Sequence, residues 1–358
     1  MASSAGAPCV RVGLSGRHRR GRRRAGDGPA EPVSLGGVGR RRLIGILLVA
    51  ISACGYGSGA LLAKGVYATG TDWPTLLVWR FTLGGLLAVV WLLARPGGRA
   101  AFRRLTRRQA AVLVAVGMVF AGNAATYYAA IQRAPVSLVA LLLYVYPAIV
   151  AVAATRYGGS FEGRRAWLAL SIAMSGAVFT VGGIRAATDP LGIVLAVASP
   201  IIYSAYILLA ARVAGARRPV IVDIRMDPGP AAVPPVLATA LMMAGTWLVL
   251  VTLAVVLREP VLPWQVPSGA WPGLVAIAVF ATTLAIGAFY AGVARVGAAQ
   301  AALVSTLEPV FTVTLAVLLL GEGLGALQLA GGALVVVAVV LAQTGRTATL
   351  EVAVAREA

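Results

Sequence analysis

The sequence predicts an all-α membrane protein with ten transmembrane helices, arranged as two five-helix repeats of inverted topology. The first observation behind this prediction is composition: 59% of the 358 residues are hydrophobic and only 12% are charged. An ordinary soluble domain carries about a quarter charged residues. The second observation is the length of the apolar stretches, and the third is an internal repeat.

Ten apolar stretches are each long enough to cross about 30 Å of hydrocarbon as an α-helix, which rises about 1.5 Å per residue. Clusters of Gly, Pro and Arg separate them. The predicted spans are 43–64, 74–94, 109–131, 135–156, 166–184, 190–212, 236–257, 271–294, 298–320 and 324–344.

The basic residues orient these spans. With the N-terminus in the cytoplasm, 26 of the 31 basic residues fall in cytoplasmic segments and only four lie outside or at the outer ends of spans. This asymmetry predicts a multi-pass protein of the cytoplasmic (cell) membrane with both termini inside. Residues 1–42 hold ten Arg and no apolar signal-peptide core, so they are predicted to form a disordered cytoplasmic tail. Residues 345–358 form the C-terminal cytoplasmic tail, and 213–235 a solvated loop with a regulatory or partner-binding role as the alternative.

An internal repeat relates residues 127–152 to residues 289–314 at a constant offset of 162. Tyr128 then matches Tyr290, and Pro147 matches Pro309. The two halves are 43–184 and 190–344. Because five spans are an odd number, the second half enters the membrane from the opposite side. Inverted repeats of this kind are a recurring plan of secondary transporters, with a substrate site near the midplane between the halves.

These residues resemble the EamA-type branch of the drug/metabolite transporter superfamily. YGSGALLAK (56–64) is similar to its first-helix motif, Trp73–Pro74 followed by Arg80 resembles its second helix, and LEPVFTVTLAVLLLGE (307–322) is similar to its ninth. The first half departs from the pattern, since Tyr146–Pro147 replaces the usual Glu–Pro or Ser–Pro. The resemblance implies alternating-access transport of a small metabolite, with export of an amino acid or an amphipathic drug-like compound favoured.

Two charged residues lie within the predicted spans. Glu308 stands near the middle of span 298–320, where a charge costs about 2.5–3.5 kcal/mol on insertion scales. It is interpreted either as a substrate-amine ligand or proton-coupling carboxylate, or as a structural group that joins helices by a hydrogen bond or an ion pair. Arg80 is interpreted as a structural or gating residue. Its alternatives are an anion-binding role and pairing with Glu308.

Prolines and aromatic residues complete the set of candidates. Pro147 and Pro309 are predicted to kink their helices beside a central cavity, because proline removes a backbone donor and crowds the preceding turn. A pocket for small organic molecules needs apolar walls and a few fixed polar groups. The polar and aromatic residues predicted to line it are Asn123, Tyr128, Tyr144, Tyr203 and Tyr290, with Tyr127 and Tyr206 beside them. Gly55 and Gly59 form a GxxxG pattern, and Glu162 and Glu322 are expected to cap or contact span ends.

The sequence favours no catalytic activity, cofactor or metal site. His18, its single His, lies in the Arg-rich tail, Cys9 and Cys54 have no motif spacing, and no phosphate-binding loop is present. The predicted partners are a small-molecule substrate and the lipid bilayer, with proton coupling and facilitated diffusion both open, and no nucleic acid is expected. A receptor or scaffold that keeps the fold without transporting, and a channel, are the alternative functions. The sequence does not determine the oligomeric state.

Overall fold

The computed structural model describes residues 35–155, 163–182, 189–213, 233–297, 301 and 304–357, and these residues are helical apart from short connections. The helices of the first half are α1 (Leu35–Tyr67), α2 (Trp73–Ala94), α3 (Pro96–Arg104), α4 (Arg107–Arg133), α5 (Val136–Leu143), α6 (Tyr146–Thr155) and α7 (Gly163–Gly182). The second half contains α8 (Pro190–Val213), α9 (Pro235–Val256), a 3-10 turn (Ser268–Ala270), α10 (Trp271–Ala278), a π-helix (Val279–Leu284), α11 (Ala285–Val296), α12 (Leu307–Leu320) and α13 (Ala326–Glu357).

The structure is that of an integral membrane protein. Six helices are long and apolar enough to cross a bilayer: Arg40–Tyr67, Trp73–Ala94, Arg107–Arg133, Pro190–Ala210, Val236–Val256 and Ser268–Val296. Four shorter apolar helices coincide with the remaining predicted spans: Val136–Val150, Trp167–Thr180, Leu307–Leu320 and Ala326–Leu341. Large apolar side chains point outward, and Val256 and Leu318 are each 71% exposed. Such faces are typical of a surface in contact with lipid. The number of ten crossings stays a prediction.

Several boundaries differ from those predicted. Helix α1 begins at Leu35, within the predicted tail 1–42, and α13 continues to Glu357, beyond the predicted end at 344. The predicted connection 95–108 contains α3, whose Arg side chains at the C-terminal turn complement the helix dipole. Glu162 and most of loop 213–235 lie outside the described residues.

Two predicted spans are interrupted one turn before a proline. Helix α5 ends at Leu143 and α6 begins at Tyr146, because Pro147 has no N–H to donate to the carbonyl of residue 143. Similarly, α12 begins at Leu307 after a turn at Thr306, just ahead of Pro309.

The helices of the two halves pack in matched pairs. Under the repeat, α1 corresponds to α8, α4 to α11, and α6 to α12. Helix α1 packs against α11 and α12, and its counterpart α8 packs against α4 and α6. The remaining counterparts contact each other directly, α2 with α9 and α7 with α13. Exchanging the two halves therefore reproduces these helix-to-helix contacts.

Five connections meet at one end of the bundle, which we call the Glu322 end. They are 68–72, 134–135, the connection that ends at Asp189 before α8, of which only Asp189 is described, 257–270 and 321–325. Thr75 Oγ1 donates to the carbonyl of Pro260 over 3.2 Å, and Arg133 Nη1 lies 2.9 Å from Asp189 Oδ2. The hydrogen bond from Arg133 holds the pKa of the exposed Asp189 carboxyl below its usual range. Any stability that this pairing adds is present at neutral pH and is lost as the pH falls through the lowered pKa.

Candidate functional site

Glu308 lies in the first turn of α12, just before the buried Pro309. The turn at Thr306 ahead of Leu307 sets where the side chain emerges. Glu308 is half-buried, and its carboxylate accepts a hydrogen bond from the hydroxyl of Tyr144. Tyr144 occupies the break between α5 and α6, so the carboxylate of the second half meets the interrupted helix of the first.

Aromatic rings extend from this point across the bundle. We call Tyr144, Tyr146, Tyr203, Tyr206 and Phe120 the aromatic wall. The ring centroids of Tyr144 and Tyr146 are 6.0 Å apart, and those of Tyr146 and Tyr203 are 4.7 Å apart in an edge-on arrangement. Tyr203 and Tyr206, one helical turn apart on α8, stack at 5.8 Å, and Phe120 of α4 lies 4.9 Å from Tyr206.

The aromatic wall borders accessible space. Tyr144 is buried, whereas the other four members are only partly buried although they lie between helices. Three separate elements supply these residues: the α5–α6 break, α8 and α4. The wall and Glu308 together therefore form an apolar surface with one carboxylate, the composition expected of a site for a small organic molecule.

Arg80 is held by three hydrogen bonds to neighbouring helices. Its Nε donates to Thr282 Oγ1 over 3.1 Å, Nη1 donates to the hydroxyl of Tyr128, and Nη2 donates to the carbonyl of Ala281 over 3.3 Å. The guanidinium carbon also lies 5.0 Å from the centre of the Tyr128 ring. Among the described residues the single ion pair is Arg133–Asp189, so Arg80 and Glu308 form no ion pair in this structure.

The partners of Arg80 lie in the π-helix, which the sequence analysis missed. Thr282 and Thr283 donate to the carbonyls five residues before them, over 3.1 and 3.0 Å. π-Helices are frequent at functional sites. Here Arg80 donates a hydrogen bond to the backbone carbonyl of Ala281 in the π-helix. The adjacent threonines in an apolar span are the available sequence signal, because their hydroxyls bond to the backbone of the preceding turn.

Glycines bring neighbouring helices close to the π-helix. A Cβ on Gly55 would lie 2.8 Å from the carbonyl oxygen of Phe280, and one on Gly59 would lie 3.0 Å from the Cβ of Ala281. The GxxxG pattern therefore marks a real helix contact.

Arg80→Lys should lower thermal stability without changing the charge. A lysine ammonium cannot reach the three acceptors in the geometry of the guanidinium fork. Loss of part of this network should cost about 1–3 kcal/mol. The measurement is the melting temperature of the purified protein in detergent, with Arg108→Lys, an exposed residue in the first turn of α4, as the control. Equal melting temperatures for the two variants would contradict a structural role of Arg80.

Tyr128 and Tyr290, which match in the repeat, have different partners. The hydroxyl of Tyr128 accepts from Arg80, whereas that of Tyr290 lies 3.1 Å from Thr239 Oγ1 of α9. The first half thus contains a cation where the second half has a neutral hydroxyl. At the residue before the repeated proline the asymmetry is reversed: the second half has the charged Glu308, and the first half has the neutral Tyr146.

Asn123 forms a hydrogen bond between two helices. It is 7% exposed, and its Oδ1 accepts from the hydroxyl of Ser199 over 2.9 Å. This contact joins α4 to α8, so the structure places Asn123 in a helix-to-helix bond.

Glu322 caps a helix of the other half. Its Oε1 accepts from the backbone N–H of Val136 over 2.7 Å, and its Oε2 accepts from the N–H and the hydroxyl of Ser137 over 3.0 and 2.6 Å. Gly321, at φ +65°, ends α12 in a left-handed conformation that turns the chain toward α5. The predicted capping role of Glu322 is confirmed. Lys64 interacts with it electrostatically, which the sequence analysis did not foresee.

No three His, Cys, Asp or Glu side chains come together as a metal-binding group among the residues that the structure describes. A groove of about 370 Å³ lies between α1, α10 and the end of α12, lined by apolar residues and glycines such as Leu62, Gly273 and Leu319. It is a separate feature from the aromatic wall, since it contains neither Glu308 nor any tyrosine.

Comparisons with known proteins agree with this architecture. Twenty-two chains of solved structures match. One, described only as the crystal structure of a protein, has a TM-score of 0.56 and 20% identity, and the match covers 85% of this chain and 98% of that one. It shows the fold alone. No curated protein matches. The model of the EamA-like transporter family matches residues 43–182 and again 190–344. The chain therefore belongs to the EamA-like transporter family, whose members are membrane transporters of the drug/metabolite superfamily.

Proposed function

We propose that the protein is a secondary transporter that moves a small organic molecule by alternating access. The observation that carries this proposal is the position of Glu308, a partly accessible carboxylate at the contact between α12 and the break of α5 and α6. Membership of the family supports transport, and export is the direction that the family favours.

Ten crossings in two inverted halves, 43–184 and 190–344, are part of the proposal. The matched packing of α1 on α11 and α8 on α4 supports a two-fold relation between the halves. The five connections at the Glu322 end support opposite insertion, because each lies after an odd-numbered predicted span. The Arg distribution supports a cell-membrane location with both termini in the cytoplasm.

Alternating access follows from this arrangement. Each half contributes one interrupted helix, α5–α6 or α12, and the two meet beside the aromatic wall. Small rotations of one half against the other would open the space beside the aromatic wall to either side of the membrane in turn, as in other inverted-repeat transporters. The hydrogen bonds between halves at the Glu322 end, such as Thr75 to Pro260, would close that side.

The test is flux into phospholipid vesicles that contain the purified full chain. The probes are labelled anions, zwitterions, cations and neutral solutes of similar size. We expect saturable uptake of at least one class above that of empty vesicles. Binding without flux would favour a receptor or scaffold, conductance without saturation would favour a channel, and either outcome would overturn the proposal.

Glu308→Gln should reduce this flux at least ten-fold and abolish its dependence on pH between about 5 and 8. The amide keeps the shape of the side chain but can neither bind a cation strongly nor exchange a proton. Glu259→Gln, in the connection between α9 and α10, is the matched control and should behave as the unaltered protein. Unaltered flux and pH dependence in Glu308→Gln would remove both the binding and the coupling role.

A further inference from the structure

We infer that the solute is an organic cation, such as an alkylated or quaternary ammonium compound, whose charged group binds between Glu308 and the aromatic wall. The inference rests on the proposed transport function and names the class of its substrate. It selects against a zwitterionic amino acid, one of the two substrate classes that the family resemblance favours.

The first argument is the missing counter-charge at Glu308. Its described partner is the neutral hydroxyl of Tyr144, and no cationic side chain of the described residues lies within ion-pair distance of it. A carboxylate within a membrane span is expected to pair with a cation or to line an aqueous cavity. Since no described residue supplies a cation there, a positively charged solute would complement the carboxylate.

The second argument is the nature of the surrounding surface. Tyr146, Tyr203 and Tyr206 present partly exposed rings, with Tyr203 and Tyr206 stacked at an interplanar angle of 10°. Aromatic rings attract cations through their electron-rich faces, and quaternary ammonium groups are bound in this way by aromatic cages. Rings and carboxylate therefore favour the same sign of charge.

The third argument is the position of the nearest protein cation. The rings of Tyr144, Tyr146 and Tyr203 interact electrostatically with Glu308. Arg80 and Glu308 both act on Tyr56, Tyr127 and Tyr128, but Arg80 is fixed there by three hydrogen bonds that it donates to the protein itself. The surface that Glu308 shares with Tyr144, Tyr146 and Tyr203 is therefore electronegative.

An α-amino acid fits this half poorly. Its carboxylate is attached to the same carbon that bears its ammonium group, so an ammonium at Glu308 would place the carboxylate beside the same side chain. Like charges at such separations repel. Arg80 already donates three of its five N–H groups to Tyr128, Thr282 and the carbonyl of Ala281, which leaves two donors for that carboxylate on a guanidinium fixed in place.

Three probes that share a phenyl group test the inference: cationic benzyltrimethylammonium, zwitterionic phenylalanine and anionic phenylacetate. Equilibrium binding to the purified full chain in detergent should be at least ten-fold tighter for benzyltrimethylammonium than for the other two. Glu308→Gln should weaken that binding at least ten-fold. Tighter binding of phenylalanine or phenylacetate, or no binding of any probe, would overturn the inference.

Two variants of Tyr203 separate the role of the ring from that of the hydroxyl. Tyr203→Phe keeps the ring and should retain binding within about two-fold, whereas Tyr203→Leu should weaken it about five-fold or more. Melting temperatures establish that both variants are folded. Equal affinities of the Phe and Leu variants would exclude a cation–ring contact at this residue and so contradict the inference.

Vesicle flux with the same probes distinguishes the inference from the proposed function. Saturable flux of phenylalanine without binding or flux of benzyltrimethylammonium would overturn the cation inference and leave the transporter proposal standing. Binding of benzyltrimethylammonium that Glu308→Gln weakens, without flux of any solute, would overturn the transporter proposal and leave the cation site standing.

Discussion

Gly117→Ala should prevent the protein from folding. Gly117 of α4 lies against α9, and a Cβ built on it would stand 2.0 Å from the carbonyl oxygen of Met242. The contact is reciprocal, since a Cβ on Gly245 would stand 2.0 Å from the carbonyl oxygen of Val114. Real Cβ atoms do not approach a backbone oxygen so closely, and neither backbone can yield as the end of a side chain could.

The two helices would have to separate by about 1 Å or more to admit the methyl group. That movement would also break the 2.8 Å hydrogen bond from Thr246 Oγ1 to the carbonyl of Gly117. Overpacking of this kind costs about 1–3 kcal/mol in soluble cores, and here it strikes a helix interface whose stability depends on close contact between small residues. We therefore expect little or no folded protein.

The measurement is the yield of monodisperse protein after extraction in detergent, followed by its melting temperature. The controls are Gly85→Ala in α2 and Gly287→Ala in α11, where nothing lies within 4 Å of the added Cβ. Alanine in an unobstructed helical position is usually more stable than glycine by about 0.5–1 kcal/mol, so the controls should melt at the same or a higher temperature. A Gly117→Ala protein that melts like its controls would show that α4 and α9 are farther apart than described.

This glycine pair illustrates what the sequence could not provide. The chain contains 42 Gly, and no local pattern distinguishes Gly117 and Gly245 from the unobstructed Gly85 and Gly287. Their roles depend on which helix lies opposite, and that is decided by packing across about 130 residues of sequence.

Features that depend on local chemistry were easier to predict. Low charge content and apolar length are enough to indicate a helical membrane protein, because an apolar chain in lipid must satisfy its own backbone hydrogen bonds. The motifs around Trp73–Pro74 and in LEPVFTVTLAVLLLGE indicated the EamA-type family, and the model of that family matches residues 43–182 and 190–344.

The candidate site divides in the same way. Glu308 was identifiable because a lone carboxylate in an apolar span is costly. Its partner Tyr144 and the acceptors of Arg80 were not, since they are brought together from distant spans and, for Arg80, depend on a π-helix. The carbonyl of Ala281 in particular becomes available through the π-helix, for which the adjacent Thr282 and Thr283 are the local sequence signal.

Glu322→Ala should destabilise the protein by about 3 kcal/mol. Glu322 is the acceptor for the backbone N–H groups of Val136 and Ser137, which begin α5. Both residues are almost fully buried, at 0% and 2% exposure, so water is poorly placed to replace the carboxylate. Hydrogen bonds to charged groups are worth about 1.5–3 kcal/mol, and a buried donor left without an acceptor costs a similar amount. Pro135, the residue before α5, provides no side-chain cap of its own.

The matched control is Asp189→Ala, because Asp189 also accepts from a helix N-terminus, the N–H of Leu191 at 2.9 Å, but from an exposed position. Water can serve that donor, so the control should lose far less stability. Glu322→Gln keeps one acceptor oxygen and should melt between Glu322→Ala and the unaltered protein. Hydrogen–deuterium exchange locates the effect: amides of 136–143 should exchange faster in Glu322→Ala than in Asp189→Ala. The cap joins α12 of one half to α5 of the other. Faster exchange confined to α12 would show that Glu322 stabilises only the end of its own helix, and this outcome would contradict the contact between the halves.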